Sequence, residues 1–277
     1  MPCPRIGHID FLNVLPLSWN WEHGAADGLA ITRNVPAVLN AALVRGELDV
    51  SNVSSILYAR HARDLVILPD LCVSTDGPVQ SILLVSKKPI EELTTERIVL
   101  TAQSQTSHCL LKIILHRSYG ATPAYDIRSI EPQDPIPEDA AGSLFIGDNA
   151  LWLYHHRQPD LYYYDLGAEW KKLTGKKMVY ALWCANRTFA EQHPDALRLA
   201  WTRIHKGLKN GFAHKEEAIT SILGKKPFTK EQLDPYLGPT IRWSLTPDYI
   251  EGLKLFYHLA CEEGLIESEP ELRIVAI

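Results

Sequence analysis

Along the chain, short apolar runs alternate with segments whose apolar positions recur every three to four residues, and that rhythm predicts an α/β fold with parallel strands. Arg5 to Leu12 reads as the first strand. Asn34 reads as a helix cap, with Pro36 in the first turn, Val38, Leu39, Ala42 and Leu43 on one face and Gly46 as the left-handed stop. Strand Leu48 to Val53 follows, and the doublet Ser54-Ser55 opens a short helix to His61; Val66 to Leu68 and Val79 to Ser86 are further strands. After a break at Lys87-Lys88-Pro89 the rhythm restarts with strand Arg97 to Thr101 and a helix from Ser107 to Tyr119, whose Leu110, Leu111, Ile114 and Leu115 share a face. Residues 121–141 read as a Pro- and Asp-rich connection. Ser143 to Ile146 and Val179 to Ala185 are strands, and from Pro194 onward the chain is mostly helical, with Thr246 as the last cap and Gly264 as the last stop.

Two α/β halves follow from this pattern, joined by two crossings at Ser86 to Lys88 and Lys177 to Ala185. The expected division is 1–86 with 186–277 in one lobe and 87–185 in the other. Ligands of open α/β sheets bind outside the carboxyl ends of strands. The polar loops there are Asn13, Ser51 to Ser55, Ser104 to Ser107 and Gly147 to Asn149. Helix N-termini with adjacent hydroxyls can together hold a small dianion; the competing reading is that these residues are helix caps and nothing more.

Composition narrows the classes. At 277 residues, 46% hydrophobic and 22% charged, the chain has ample core and is neither disordered nor collagen-like. A formal charge of −5 provides no basic field for nucleic acid or anionic lipid. No apolar run has the length to cross a bilayer, and the opening stretch, interrupted by Pro4, Asp10, Asn13 and Pro16, reads as mature sequence rather than a secretory leader. Cys3, Cys72, Cys109, Cys184 and Cys261 are widely spaced without a CxxC, which suits buried thiols in a reducing cytoplasm. His155-His156 is adjacent rather than i, i+4, so no metal pair forms there. Trp170, Tyr180 and Trp183 line an aromatic pocket or pack the core at the returning crossing; the sequence leaves both open.

The segments IGHIDFLNVLP (Ile6 to Pro16), GELDVSNVSSILYA (Gly46 to Ala59), GPVQSILLVSKKPI (Gly77 to Ile90), LTAQSQTSHCLLKIIL (Leu100 to Leu115), FIGDNAL (Phe145 to Leu151) and DLGAEWKKLTGKKMVYALW (Asp165 to Trp183) carry a resemblance. Together they resemble the chorismate dehydratases of the futalosine route of menaquinone biosynthesis. The resemblance implies a two-lobed fold like the type II periplasmic binding proteins, with the ligand in the cleft between lobes, and a cytoplasmic lyase without metal or other cofactor. The implied substrate is chorismate and the product 3-[(1-carboxyvinyl)oxy]benzoate plus water. It implies no nucleic-acid or membrane partner, and oligomeric state is not readable. Two alternatives stand beside it, the sister lyase that forms 1,4-dihydroxy-6-naphthoate and a non-catalytic binder of small carboxylates. The sister family carries a histidine where this chain reads Gly147-Asp148.

On that resemblance Asn13 is expected at the centre of the chemistry, with Asp148 or a carboxylate of the substrate as the base. Ser54, Ser55, Ser104, Thr106 and Ser107 are expected to hold the carboxylates, with Ser81, Gly147 and Asn149 in the same shell.

Overall fold

In the computed structural model, which describes residues 2–102 and 104–277, the chain forms two five-stranded sheets. The first contains β1 (Arg5–His8), β2 (Ala30–Arg33), β3 (Val50–Ser54), β4 (Leu65–Thr75) and β10 (Met178–Asn186), in the order β2-β1-β3-β10-β4. The second contains β5 (Ile82–Ser86), β6 (Arg97–Leu100), β7 (Ala124–Ile127), β8 (Gly142–Ile146) and β9 (Tyr162–Asp165), in the order β7-β6-β8-β5-β9. In chain order the helices are α1 (Leu15–Asn20), α2 (Pro36–Val44), α3 (Ser55–Arg60), α4 (Gln105–Tyr119), α5 (Gly147–His155), α6 (Leu166–Thr174), α7 (Arg187–Gln192), α8 (Pro194–Ala213), α9 (Lys215–Ile222), α10 (Lys230–Pro235) and α11 (Pro247–Glu262).

The sheets are mixed, not purely parallel. β10 runs antiparallel to both β3 and β4, and β5 antiparallel to both β8 and β9. These are the first strands the chain enters after each crossing, so each starts at the cleft and runs away from it. The parallel strands around them end at the cleft. The pairing also moves the lobe boundary: Ile82–Ser86 belongs to the second sheet and Met178–Asn186 to the first, so the crossings fall at residues 76–81 and 175–177. The pattern alone had given each crossing strand to the sheet it leaves.

Close approach inside the first sheet depends on Gly7, where a Cβ would stand 2.6 Å from the Ser51 hydroxyl on the neighbouring β3. The long helix α4 forms with its predicted apolar face, starting at Gln105, two residues before the expected Ser107. Ser104 caps it, Leu110, Leu111, Ile114 and Leu115 are fully buried, and Gly120 ends it in the left-handed region. One apolar core runs from Ile6, Val50 and Ile56 through to Leu110, Leu144 and Leu166 in the second lobe, while Leu83, Val85, Val99, Phe145 and Leu153 pack a separate cluster on the other face of the second sheet. The stretch expected as bare connection contains β7, a short and largely exposed strand paired in parallel with β6. Trp170 and Trp183 are core residues. The cysteines are all free thiols, with Cys72, Cys109 and Cys184 buried, Cys261 half-buried and, against expectation, Cys3 exposed.

Candidate active site

Where the strand ends of the two lobes meet lies a cavity of about 140 Å³, close to the room that a single six-membered ring occupies. Its first-lobe wall carries three carboxamides: Asn13 just after β1, Asn40 on α2 and Asn52 on β3, with Ser54 at the end of β3. The second lobe presents Ser81 from the outgoing crossing, Ser104, Gln105 and Ser107 from the start of α4, and Gly147 from the start of α5. Tyr180 from β10, with Phe11, Val79 and Ile146, completes an apolar part of the wall.

Local hydrogen bonds fix these groups. Ser54 caps α3, its hydroxyl accepting from the Leu57 N–H at 3.3 Å. Ser104 caps α4 by accepting from the Ser107 N–H at 3.2 Å, and the two hydroxyls pair at 2.9 Å. Both Ser104 and Ser107 therefore sit at the positive end of a 15-residue helix dipole, where an anion is favoured. The crossing that carries Ser81 is held by Asp165, whose carboxylate accepts from the N–H groups of Val79 at 2.9 Å and Gln80 at 2.6 Å, and also from Gly167 and Ala168. Burial pushes the Asp165 carboxyl pKa up, and these four N–H groups oppose that push. Gly147 has φ +61°, and its N–H already donates to the Ser81 carbonyl at 2.8 Å. A Cβ there would stand 3.2 Å from the Phe11 ring, so the glycine admits the ring of the opposite lobe.

Asn13, Ser54, Ser81, Ser104, Ser107 and Gly147 thus share one cavity wall, and four other expected residues stand outside it. The Ser55 hydroxyl donates to the Val179 carbonyl at 2.7 Å. The Thr106 hydroxyl is buried, accepting from the Ile56 N–H at 3.1 Å, a bond from the first lobe to the second. Asn149 points to solvent. Asp148 lies in the first turn of α5 without capping it; its carboxylate reaches the first lobe, accepting from the Leu12 N–H at 3.0 Å and pairing with Lys226 at 3.0 Å. With the bond from Arg60 to Gln105 at 2.6 Å, these contacts form a clasp between lobes.

The wall is electrically unusual. Among the described residues it holds no Asp, Glu, His, Lys or Arg. Its one titratable group, the Tyr180 hydroxyl, shares a 3.1 Å hydrogen bond with the Thr75 hydroxyl and is pushed up by burial, so it stays protonated at neutral pH. Nor do three His, Cys, Asp or Glu side chains converge anywhere among the described residues as a metal site would need. Such a wall can bind carboxylates by neutral donors and helix ends, and it brings no base of its own.

Sequence reasoning missed Asn40, and it included Asn52 and Gln105 only as members of the polar stretches Ser51 to Ser55 and Ser104 to Ser107. Asn52 carried a readable signal, since a carboxamide on a buried strand needs a hydrogen-bond partner. Asn40 sits one residue after the apolar pair Val38-Leu39 of α2 and carried none. Tyr180 was one member of the aromatic group left open, and only it reaches the cavity.

Residues 4–262 match the sequence profile of a family described as menaquinone biosynthesis. A chorismate dehydratase from Thermus thermophilus is 33% identical over 261 residues, which cover 89% of this chain and 91% of that protein. Among solved structures, a protein from Archaeoglobus fulgidus superposes with a TM-score of 0.77 at 17% identity, covering 95% of this chain and 98% of that one. The alkanesulfonate-binding protein of Xanthomonas axonopodis pv. citri, solved with MOPS bound, gives 0.72 at 16% identity, covering 98% of this chain and 96% of that one. The structural likenesses establish a two-lobed periplasmic-binding-protein-like fold. With a profile that spans nearly the whole chain and a relative one-third identical, the chain belongs to the menaquinone biosynthesis family.

Proposed function

We propose that the protein is a chorismate dehydratase of menaquinone biosynthesis, a carbon-oxygen lyase that takes chorismate to 3-[(1-carboxyvinyl)oxy]benzoate and water. The family and the Thermus thermophilus relative support this reading. No helix among the described residues is long and apolar enough to cross a membrane. A cytoplasmic setting, with free thiols kept reduced, belongs to the same reading.

Dehydration breaks the C3–H bond and the C4–O bond. The electron pair from C3 delocalises through the ring alkene toward the ring carboxylate, then forms the C3–C4 π bond as the C4 oxygen leaves with its own pair. The abstracted proton and the departing hydroxide make water, and the ring becomes aromatic. No redox change occurs. Ser104 and Ser107 at the start of α4 bind the carboxylate on which negative charge accumulates, so their donors strengthen in the transition state. Asn13 donates from a neutral amide on the opposite wall.

The observation that carries the mechanism is the absence of any titratable base on the described wall. The base is then the enolpyruvyl carboxylate of chorismate, which sits beside C3. A carboxylate enclosed among apolar groups, with no cation beside it, has its pKa raised by desolvation, and a raised pKa makes it a better proton acceptor.

The test is incubation of the purified protein with chorismate alone, with no metal, nucleotide or flavin added, and detection of the product by its mass loss of one water. Turnover insensitive to chelator is expected. Chorismate that binds and stays intact refutes the lyase reading in favour of a carboxylate-binding protein.

A further inference from the structure

Two carboxamides that line the cavity each carry a buried polar atom without a hydrogen-bond partner, the Nδ2 of Asn52 and the Oδ1 of Asn40. Asn52 is only 6% exposed, and no hydrogen bond satisfies its side-chain donor. An orphaned donor and an orphaned acceptor on one wall form a complementary pair. They come from neighbouring elements, since α2 packs against β3. Buried carboxamides left unpaired are costly, and proteins retain them where a ligand completes them.

Resting on the dehydratase reading above, we propose that Asn40 and Asn52 are the specificity-determining residues that recognise the C4 hydroxyl of the substrate. The chemistry of the ligand selects this group. With both carboxylates ionised, chorismate has one hydrogen-bond donor, the C4 hydroxyl, and only that donor can satisfy the Asn40 oxygen. The same hydroxyl oxygen accepts from the Asn52 Nδ2, so one group on the ligand satisfies both orphans. The product has lost this hydroxyl and leaves both unsatisfied. The wall therefore divides its work: the helix ends of the second lobe hold the carboxylates common to substrate and product, and the first-lobe carboxamides read the group that the reaction removes. Donation from Asn52 also assists the C4 oxygen as it leaves, and Asn13 is free to serve the enolpyruvyl ether. Product release follows from the same arrangement, because the aromatic product faces an unpaired donor and acceptor.

The experiment compares wild type, Asn40→Ala, Asn52→Ala and the isosteric Asn52→Asp, measuring kcat/KM for chorismate and the inhibition constant of added 3-[(1-carboxyvinyl)oxy]benzoate. Losing a hydrogen bond to a buried partner lowers kcat/KM roughly 10- to 100-fold, while the product's inhibition constant stays within about threefold because the hydroxyl is absent from it. Thermal unfolding identifies any variant that fails to fold, and the half-buried Asn40 leaves a second reading should the Asn52 variants collapse. A parallel rise in the product's inhibition constant overturns the assignment, placing the amides on the shared carboxylates. Unchanged kcat/KM in folded variants overturns it as well. Failure of wild type to dehydrate chorismate overturns the underlying reaction itself, an outcome distinct from either.

Discussion

Asp148 separates two accounts of this site, a protein base and a clasp. As a base, its removal by Asp148→Asn costs about 10²- to 10⁴-fold in kcat with little change in KM. As a clasp, it contributes two contacts between lobes. The half-exposed ion pair to Lys226 is worth about 1 kcal/mol or less. The bond from the Leu12 N–H changes from charge-assisted to neutral on substitution by Asn, a difference of about 1 kcal/mol. The sum, about 1 to 2 kcal/mol, falls on the closed state and raises KM by about 5- to 30-fold, because apparent affinity scales with the population of the binding-competent form. Asp148→Ala goes further, since the buried Leu12 then keeps an N–H with no partner, costing about 1 to 3 kcal/mol more. Steady-state kinetics on both variants, with the pH dependence of kcat, decides the matter. We expect kcat within a few-fold of wild type, KM rising in the order wild type, Asn, Ala, and an unchanged pH limb. A kcat loss above about 100-fold in Asp148→Asn at constant KM, with loss of the acidic limb, refutes the clasp and restores a protein base.

Thr106 and Ser107 are adjacent and hold opposite roles. Thr106→Ala orphans the buried Ile56 N–H and lowers unfolding stability by about 1 to 3 kcal/mol with modest effect on affinity, whereas Ser107→Ala weakens substrate binding by roughly 10-fold at smaller cost in stability; denaturant melts beside KM for the two single variants check this, and identical profiles refute it. His8 is the third case. Its ring is buried against Trp21 and hydrogen-bonded to Ser18 at 2.7 Å, and burial first, then the Arg33 charge, lowers its pKa to about 4. Below the ordinary value near 6.5 the unfolded chain takes up a proton that the folded chain refuses, so stability falls as pH drops from 6.5 to 4, by about 3 kcal/mol from this group. Urea unfolding at pH 7.5 and 4.5 is expected to show a smaller loss in His8→Asn than in wild type, and equal losses refute it.

The fold was legible where local chemistry and tertiary packing agree. The apolar stripe and closing glycine of α4, and Thr246 with Pro247 at α11, are local signals, and the structure keeps them. Strand direction is a different kind of information. Nothing in ILLVS or MVYALWCAN shows that these strands run against their neighbours, because direction is set by where the chain re-enters after a crossing, and the same ignorance displaced the lobe boundary. In the site, Ser54 and Ser104 could be read from cap positions and Ser107 from its place in the first turn of α4. Ser55 and Thr106 occupy the same sequence context yet turn away from the cavity, because a helix rotates successive side chains by about 100° and only the structure shows which face meets the cleft. Asp148 looked like a cap at a strand end, and its partner Lys226 lies 78 residues away in the chain.

A neutral wall around a dianionic substrate is consistent with turnover where a cationic wall would oppose it. An arginine beside the enolpyruvyl carboxylate would bind chorismate more tightly, but it would also lower that carboxylate's pKa and weaken the base on which the reaction depends. Dipoles and hydroxyls at the start of α4 solve the problem unevenly. They lie on the second lobe, where they favour the carboxylate that gains charge as the C3 proton leaves, while the first lobe offers amides that add no net charge. Closure excludes water, which strengthens the dipoles and leaves the substrate carboxylate poorly solvated, so the same clasp that raises affinity also raises basicity. The lobes must therefore be held together by contacts outside the cavity, and that is where Asp148, Lys226, Arg60 and Thr106 stand. On the mechanism proposed above, charged residues serve the closing of the cleft at its rim, and a wall without them among the described residues suits a proton taken by the substrate.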